Sequence, residues 1–529
     1  MILFAAILLS GCKSGGESKA NVINANNYDG ASFETTAVST AAPIPETSAV
    51  QTAETVTTVP VDTTSVHVSE ESEQTTVHIP EESEQISAVT SETTAETTTV
   101  PPATTTTAAT TTVATTTSAI TTAETTTATT TTAETTTATT TAETTTVPDQ
   151  TELPDFPQNS YKPLNYSEVK GIWISYIEIS DFLTGKTESQ FRAGIGAAYD
   201  KCVGLGLNTV YVHARAFCDA FYDSELFPLT KYVTGLYGAK MPFDPLEIMV
   251  DEAHKRGLSF QAWINPLRAY SDADISSVKG GVVKEWYDDA SKRGKYIVKV
   301  GSYWYLNPAY KEVTDLVGKG AAEIASNYDV DGLHIDDYFY PTTDSGFDAS
   351  AFADGGYSDL SEFRLANCDR VVKSIYDNVK SVNKKMLFGI STQGNVTNNL
   401  TQLYANVEKW ATNKGYADYF APQIYYGFEH SSQDFVKVLT QWQKMVEKSG
   451  ADLIPGLSVY KIGEVDTWAG SGKYEWQNYG DIIKRQIEAA RETDNYGGIV
   501  LYSYKYVFGS GKTSAMNTEI EAFKPLLTE

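Results

Sequence analysis

From residue 161 onward, short apolar runs alternate with amphipathic stretches eight times before the chain ends, and few folds accept that count. The apolar runs, at 171–176, 209–214, 259–265, 332–336, 387–391, 419–425, 453–459 and 498–504, have strand length and are rich in β-branched and aromatic residues. Helical patterns lie between them. Residues 188–206 place Phe191, Ile195, Ala198, Cys202 and Leu205 on one helical face. Asp244-Pro245 opens the next helix with an N-cap and a first-turn proline, and Gly257 closes it. Further helices are expected at 308–326, 360–382, 400–414, 433–449, 481–493 and 518–527. Eight strands, each followed by a helix, predict an α/β fold of the (β/α)8 TIM-barrel type over residues 161–529. A doubly wound open sheet is the competing architecture, and no Gly-x-Gly-x-x-Gly follows the first strand to favour it.

The chain before that point is a different material. Positions 1–160 hold 2 basic and 20 acidic residues of a 529-residue chain whose net charge is −27. They contain almost no aromatics, so they have little surface to bury against the entropy of ordering. Residues 121–130 read TTAETTTATT and 131–140 repeat it letter for letter. This composition predicts a disordered Thr/Glu/Pro-rich stalk over 12–160 that lifts the barrel away from its point of attachment. Residues 1–11 are apolar but too short for a permanent membrane span, and fit the core of an export signal. Leu9-Ser10-Gly11-Cys12 resembles the bacterial lipobox, in which the signal is cut ahead of the cysteine and the thiol is acylated. The expectation is an exported protein, lipid-anchored through Cys12 to the outer face of a bacterial cell membrane. Nothing in the chain is basic enough to suggest a nucleic-acid partner. Cys202, Cys218 and Cys368 form no CxxC pair, so no structural metal site is expected from them; no cofactor is expected either.

In such barrels the working groups sit at the C-terminal ends of the strands, and here those ends are polar and aromatic. The fourth predicted strand ends His334-Ile335-Asp336-Asp337-Tyr338. Alternation puts His334 and Asp336 on the face opposite Leu333 and Ile335, with Asp337 and Tyr338 where strand gives way to loop. Two adjacent carboxylates are costly to bury without partners or a task. On the second strand, Tyr211, His213 and Arg215 share the face opposite Val210 and Val212. The third brings Gln261, Trp263 and Asn265 together with Arg268 just beyond, and the sixth ends at Gln423, Tyr425 and Tyr426. Residues 269–307 read as a long loop containing Trp286, Tyr287, Tyr303, Trp304 and Tyr305, and loops of that length are commonly functional. Aromatic faces interleaved with Asn, Gln, His and Arg suit sugars, which present C–H faces for stacking and hydroxyls for hydrogen bonds. His213, His334 and Asp336 as a metal set is disfavoured, because the second and fourth strands are not neighbours.

Several blocks, in order, carry a resemblance. They are Val169-Lys-Gly-Ile-Trp-Ile-Ser175, Arg215 followed by Tyr222-Asp-Ser224, Phe243-Asp-Pro-Leu246, Ala253-His-Lys-Arg-Gly257, Ala262-Trp-Ile-Asn-Pro266, Leu306-Asn-Pro308 and Asp331-Gly-Leu-His-Ile-Asp-Asp-Tyr-Phe-Tyr-Pro341. Together they resemble the bacterial glycosyl-hydrolase-like family ten over about residues 168–505, with Gln261 standing where the family more often has histidine. The resemblance implies a (β/α)8 glycosidase-like domain on an exported protein, with peptidoglycan glycan strands as the favoured polysaccharide. Glycoside hydrolysis generally uses two carboxylates. Asp336 is the first choice for an active one and Asp337 the second, with Glu178, Asp219 and Glu429 as other candidates for the partner. An N-acetylated substrate could instead supply its own acetamido nucleophile. His213, Arg215, Trp263, Asn265, Arg268, His334, Tyr338, Gln423, Tyr425 and Tyr426 are the expected substrate-binding residues. The alternative from another class is a non-catalytic surface protein that binds carbohydrate or mediates adhesion on a hydrolase-like barrel.

Overall fold

The computed structural model describes residues 153–529. The helix Glu188–Leu205 begins at Thr187, whose hydroxyl accepts from the Gln190 amide, and stops at Gly206, whose φ of 97° suits glycine. The strands are β1 (Val169–Ile174), β2 (Thr209–Arg215), β3 (Ser259–Ile264), β4 (Arg268–Ser271), β5 (Ile297–Val300), β6 (Tyr303–Leu306), β7 (Gly332–Ile335), β8 (Leu387–Ile390), β9 (Tyr419–Phe420), β10 (Asp452–Leu453), β11 (Gly456–Leu457) and β12 (Gly498–Leu501). Nine of them form one sheet in the order β10-β9-β8-β7-β3-β2-β1-β12-β11, with every pairing parallel. Only Ile454 and Pro455 separate β10 from β11, so the two edges of the sheet belong to one segment and the sheet curls round on itself. Proline has no N–H to give a ladder, which is why the run predicted at 453–459 is split there. Counted as one, β10 and β11 complete the eight strands of the predicted barrel.

Alternation along the strands sorts the core into two parts. Trp173, Tyr211, Trp263, Tyr419, Ala421, Ile454 and Val500 fill the inside of the barrel. Ile172, Ile174, Val210, Val212, Leu333 and Ile335 face outward onto the helices. The inner aromatics need space, and glycine provides it: a Cβ at Gly389 would fall inside the Tyr419 ring.

Two regions differ most from the sequence expectation, beside the helix expected at 400–414, which breaks at Tyr404 (φ of 52°) into the turn Asn399–Leu403 and the helix Val407–Thr412. Residues 269–307 are not an open loop. β4, β6 and β5 form an antiparallel sheet, with the helix Val282–Asp288 beside it. Most of its aromatics pack within it: Trp286 meets Tyr296 edge-on, Tyr287 meets Trp304, and the Trp304 indole N–H donates to Asp272 at 2.9 Å.

The second difference lies at the start. Residues 153–160, assigned to the stalk on composition, run against the barrel, where Leu153 and Phe156 pack on the core. Asn159 donates from its side chain to the Ala325 and Tyr328 carbonyls. Next to it, the buried Asp331 accepts from the Tyr161 hydroxyl at 2.9 Å and from the Leu164 and Phe260 amides at 2.5 and 2.7 Å. His254 completes the set at 2.9 Å, so it is tied to the barrel rather than merely solvated on its helix. Residues 1–152, on which the export-signal, Cys12-anchor and repeat-stalk expectations fall, lie outside the described residues.

Candidate active site

The C-terminal mouth of the barrel opens into a cleft of about 870 Å³, part of it open to solvent. Its walls come from the ends of β1, β2, β3, β7, β8, β9 and β12 and from the segments that follow them. Asp336 comes directly after β7. The chain turns tightly there: the Tyr338 amide donates to Asp336 Oδ1 at 3.3 Å, and the Phe339 amide donates to the Asp337 carbonyl at 2.9 Å. That turn ends the strand alternation, so Asp336, Asp337 and Tyr338 all line the cleft. Asp336 is buried. Desolvation and the neighbouring Asp337 push its carboxyl well above the usual carboxylate range, against the pull of the Tyr338 amide and of Arg268. Asp337 accepts from Gln393 Nε2 at 3.4 Å.

Two expected binding residues form a rigid wall beside the pair. His213 lies flat on Trp263, with ring centroids 3.4 Å apart. Its Nδ1 accepts from the Tyr176 amide at 3.1 Å and its Nε2 faces Asn265 Oδ1 at 3.3 Å. The Asn265 amide group donates to the Ala216 carbonyl at 2.9 Å, which fixes its oxygen toward the imidazole. The neutral tautomer with its proton on Nε2 satisfies all of these bonds. Burial holds the ring far below the usual histidine range, in agreement. Arg268 donates to the Tyr338 hydroxyl at 2.9 Å and lies over the rings of Phe217 and Tyr338. Gln423 and Tyr425 close the opposite side, with Tyr425 against Tyr502.

Three residues expected in the cleft lie elsewhere. A β-bulge between His213 and Arg215 reverses the alternation. Arg215 therefore turns outward, onto the Phe227 ring at 4.1 Å and toward Glu323. His334 has the predicted parity but sits one layer deeper. It is fully buried, accepts from the Trp173 indole and bonds the Tyr419 hydroxyl, each at 3.1 Å. Burial pushes its pKa down to about 3, so it is a neutral member of the barrel interior. Tyr426 lies beside the cleft, edge-on to His430.

Of the other carboxylates considered, only Glu178 lines the cleft. Its oxygens accept from the Ser175 amide, the Ser503 hydroxyl and the Lys505 amide at 2.5, 2.7 and 2.6 Å. Asp219 is buried away from the cleft, near Thr230 and Lys231, and Glu429 pairs with the Tyr479 hydroxyl. Tyr502, which the sequence places at the end of the eighth strand, lines the cleft, as do Trp173, Ser391, Lys505 and Tyr506, which sequence reasoning passed over. The parity of Trp173 with the inward Tyr211 of the next strand was the available signal for that residue.

The glycosyl hydrolase-like 10 family matches residues 168–470. A glycosyl hydrolase named YngK from Bacillus subtilis is 28% identical over 350 residues, which is 61% of this chain and 67% of that protein. A glycosyl hydrolase named DigH from Escherichia coli K12 is 26% identical over 397 residues, 68% of this chain and 87% of that protein. The solved PgaB glycoside hydrolase domain from Bordetella bronchiseptica superposes with a TM-score of 0.45 at 13% identity, over 67% of this chain and 99% of that one.

Proposed function

The chain belongs to the glycosyl hydrolase-like 10 family, and from that premise we propose that it is a glycoside hydrolase acting on a cell-wall polysaccharide, with peptidoglycan glycan strands as its substrate. One observation carries the reading: a buried Asp336, its carboxyl held well above the usual range by desolvation, stands beside a second carboxylate in an aromatic-walled cleft at the functional end of the barrel. In the proposed reaction Asp336 gives its proton to the glycosidic oxygen as the bond to the anomeric carbon breaks.

The arrangement of carboxylates favours help from the substrate. Asp336 and Asp337 are chain neighbours rather than residues facing each other across a sugar. Glu178, the further carboxylate of the cleft, has its oxygens occupied by Ser175, Ser503 and Lys505. An N-acetylated sugar supplies the missing nucleophile: its acetamido oxygen attacks the anomeric carbon while Asp337 holds the acetamido N–H. Asp336, now a carboxylate, then takes a proton from the water that opens the intermediate. Both sugars of a peptidoglycan strand carry an acetamido group, which is why that glycan is proposed.

The proposal includes location. Leu9-Ser10-Gly11-Cys12 supports export and acylation at Cys12, with the Thr-rich segment as the tether between membrane and barrel. The test incubates the purified protein with peptide-stripped glycan strands. Reducing ends accumulating with time are expected. Retention of the protein on the strands without any release would replace the hydrolase by the non-catalytic carbohydrate binder.

A further inference from the structure

Beside the cleft lies a second hollow that shares Gln423 and Tyr425 with it, and on its rim stands Trp468. At 86% exposure, Trp468 is the most exposed large apolar side chain among the described residues. A lone exposed tryptophan would mean little, but this one stands on a built base. The loop that carries it is tied to the cleft: Lys461 Nζ donates to the Tyr425 carbonyl at 2.8 Å and to the buried Asp466 at 2.7 Å. Asp466 in turn accepts from the Trp468 amide at 3.2 Å. The neighbouring loop is fastened to the same base, since the Ser431 amide donates to the Ala469 carbonyl at 3.0 Å. Both loops therefore hold one wall.

A second polar group lines that wall. His430 lines the hollow and is 7% exposed. Its Nδ1 accepts from the Ser432 and Gln433 amides at 3.4 and 3.1 Å. With Nδ1 accepting, the ring proton lies on Nε2, and burial lowers the basicity of the ring. An aromatic plate beside a fixed N–H donor, continuous with a glycan cleft, matches a sugar ring: the plate takes the C–H face and the donor takes a hydroxyl or an acetamido carbonyl.

We propose that Trp468 and His430 form a distal sugar subsite, so that the protein binds a glycan chain extending from the Asp336–Asp337 cleft across the Gln423–Tyr425 saddle, in preference to short fragments. The inference rests on the reading of the cleft as a glycan site. Its test separates the two claims by measuring binding and turnover in parallel. Affinity for long peptide-free glycan strands and for the GlcNAc–MurNAc disaccharide is measured by calorimetry for the full chain, Trp468→Ala and Trp468→Phe. Turnover of the long strands is followed on the same samples.

Trp468→Ala should weaken long-strand binding by about three- to tenfold and leave disaccharide binding unchanged, with Trp468→Phe recovering most of the loss. The melting temperature should not move, because the side chain is solvent-facing. Equal long-strand affinity for the wild-type chain and Trp468→Ala overturns the subsite, as does an equal loss on strand and disaccharide. A selective loss of long-strand affinity in a protein that releases no reducing ends would keep the subsite and remove the hydrolase reading.

Discussion

Burial decides the proton on Asp336. Its folded carboxyl is raised above the usual range by desolvation and by Asp337, so the folded state holds the proton more tightly than the unfolded chain does. The stabilisation from that group is complete below the ordinary carboxylate pKa of about 3.9 and is lost as pH rises through the raised value. At neutral pH, Asp336→Asn should therefore leave the melting temperature unchanged or higher. Turnover should fall by ~10²–10⁴-fold, because an amide neither gives nor takes the proton. The alkaline limb of the pH–rate profile, set by loss of the Asp336 proton, should disappear in the residual activity. Near-normal turnover, or a large fall in melting temperature, would make Asp336 a structural aspartate. At this scale the sequence was legible wherever strand parity continued, as for His213, Trp263 and Asp336. It was not legible at Arg215, because a bulge is a backbone event that the side-chain pattern does not announce. Depth was also hidden: parity gives the inward face of His334 but not the layer it occupies.

The elements that frame the mouth depend on carboxylates of another kind. Glu178 joins the start of the helix Tyr176–Leu183 to the segment after β12, through the Ser175 and Lys505 amides and the Ser503 hydroxyl. Three donors converge on its two oxygens, so Glu178→Gln must turn an NH2 group toward at least one of them. The expected loss is roughly 1–3 kcal/mol, read as a lower melting temperature, where Asp336→Asn gives none. Equal melts for Glu178→Gln and the wild-type chain would show that these bonds do not hold the mouth.

At the opposite end, Asp331 and Asn159 fasten residues 153–164 to the barrel. A chain starting at 161 loses the Asn159 bonds and the Phe156 packing, together about 1–3 kcal/mol, and should melt a few degrees below one starting at 153. Coincident melts would mean that the segment only rests there. Eight strands could be counted from the sequence because parallel strands covered by helices read as apolar runs. The sheet inside 269–307 could not, because β4, β5 and β6 have four residues each and their aromatics pack against one another.

For the whole molecule, charge and length bear on how the barrel would be held at a surface. Between Cys12 and Leu153 lie 140 residues, a contour of at most roughly 500 Å. The net charge of −27 has a physical consequence for attachment. Anionic lipids give a membrane surface a negative potential that attracts polybasic segments and repels an acidic chain. Next to the proposed anchor, residues 13–28 hold Lys13 and Lys19 against Glu17, a net of +1 and well short of a polybasic segment, and positions 29–160 hold 19 acidic residues and no basic one. Attachment then rests on the lipid alone. Cys12→Ala should abolish it rather than weaken it, and the exported protein should appear in the medium with its turnover of glycan strands intact. Fractionation of cells that express the wild-type chain and Cys12→Ala, followed by assay of membrane and medium, measures both. Persistence of Cys12→Ala in the membrane fraction at low and high salt alike would show a second attachment, and the acylated-cysteine reading would fall.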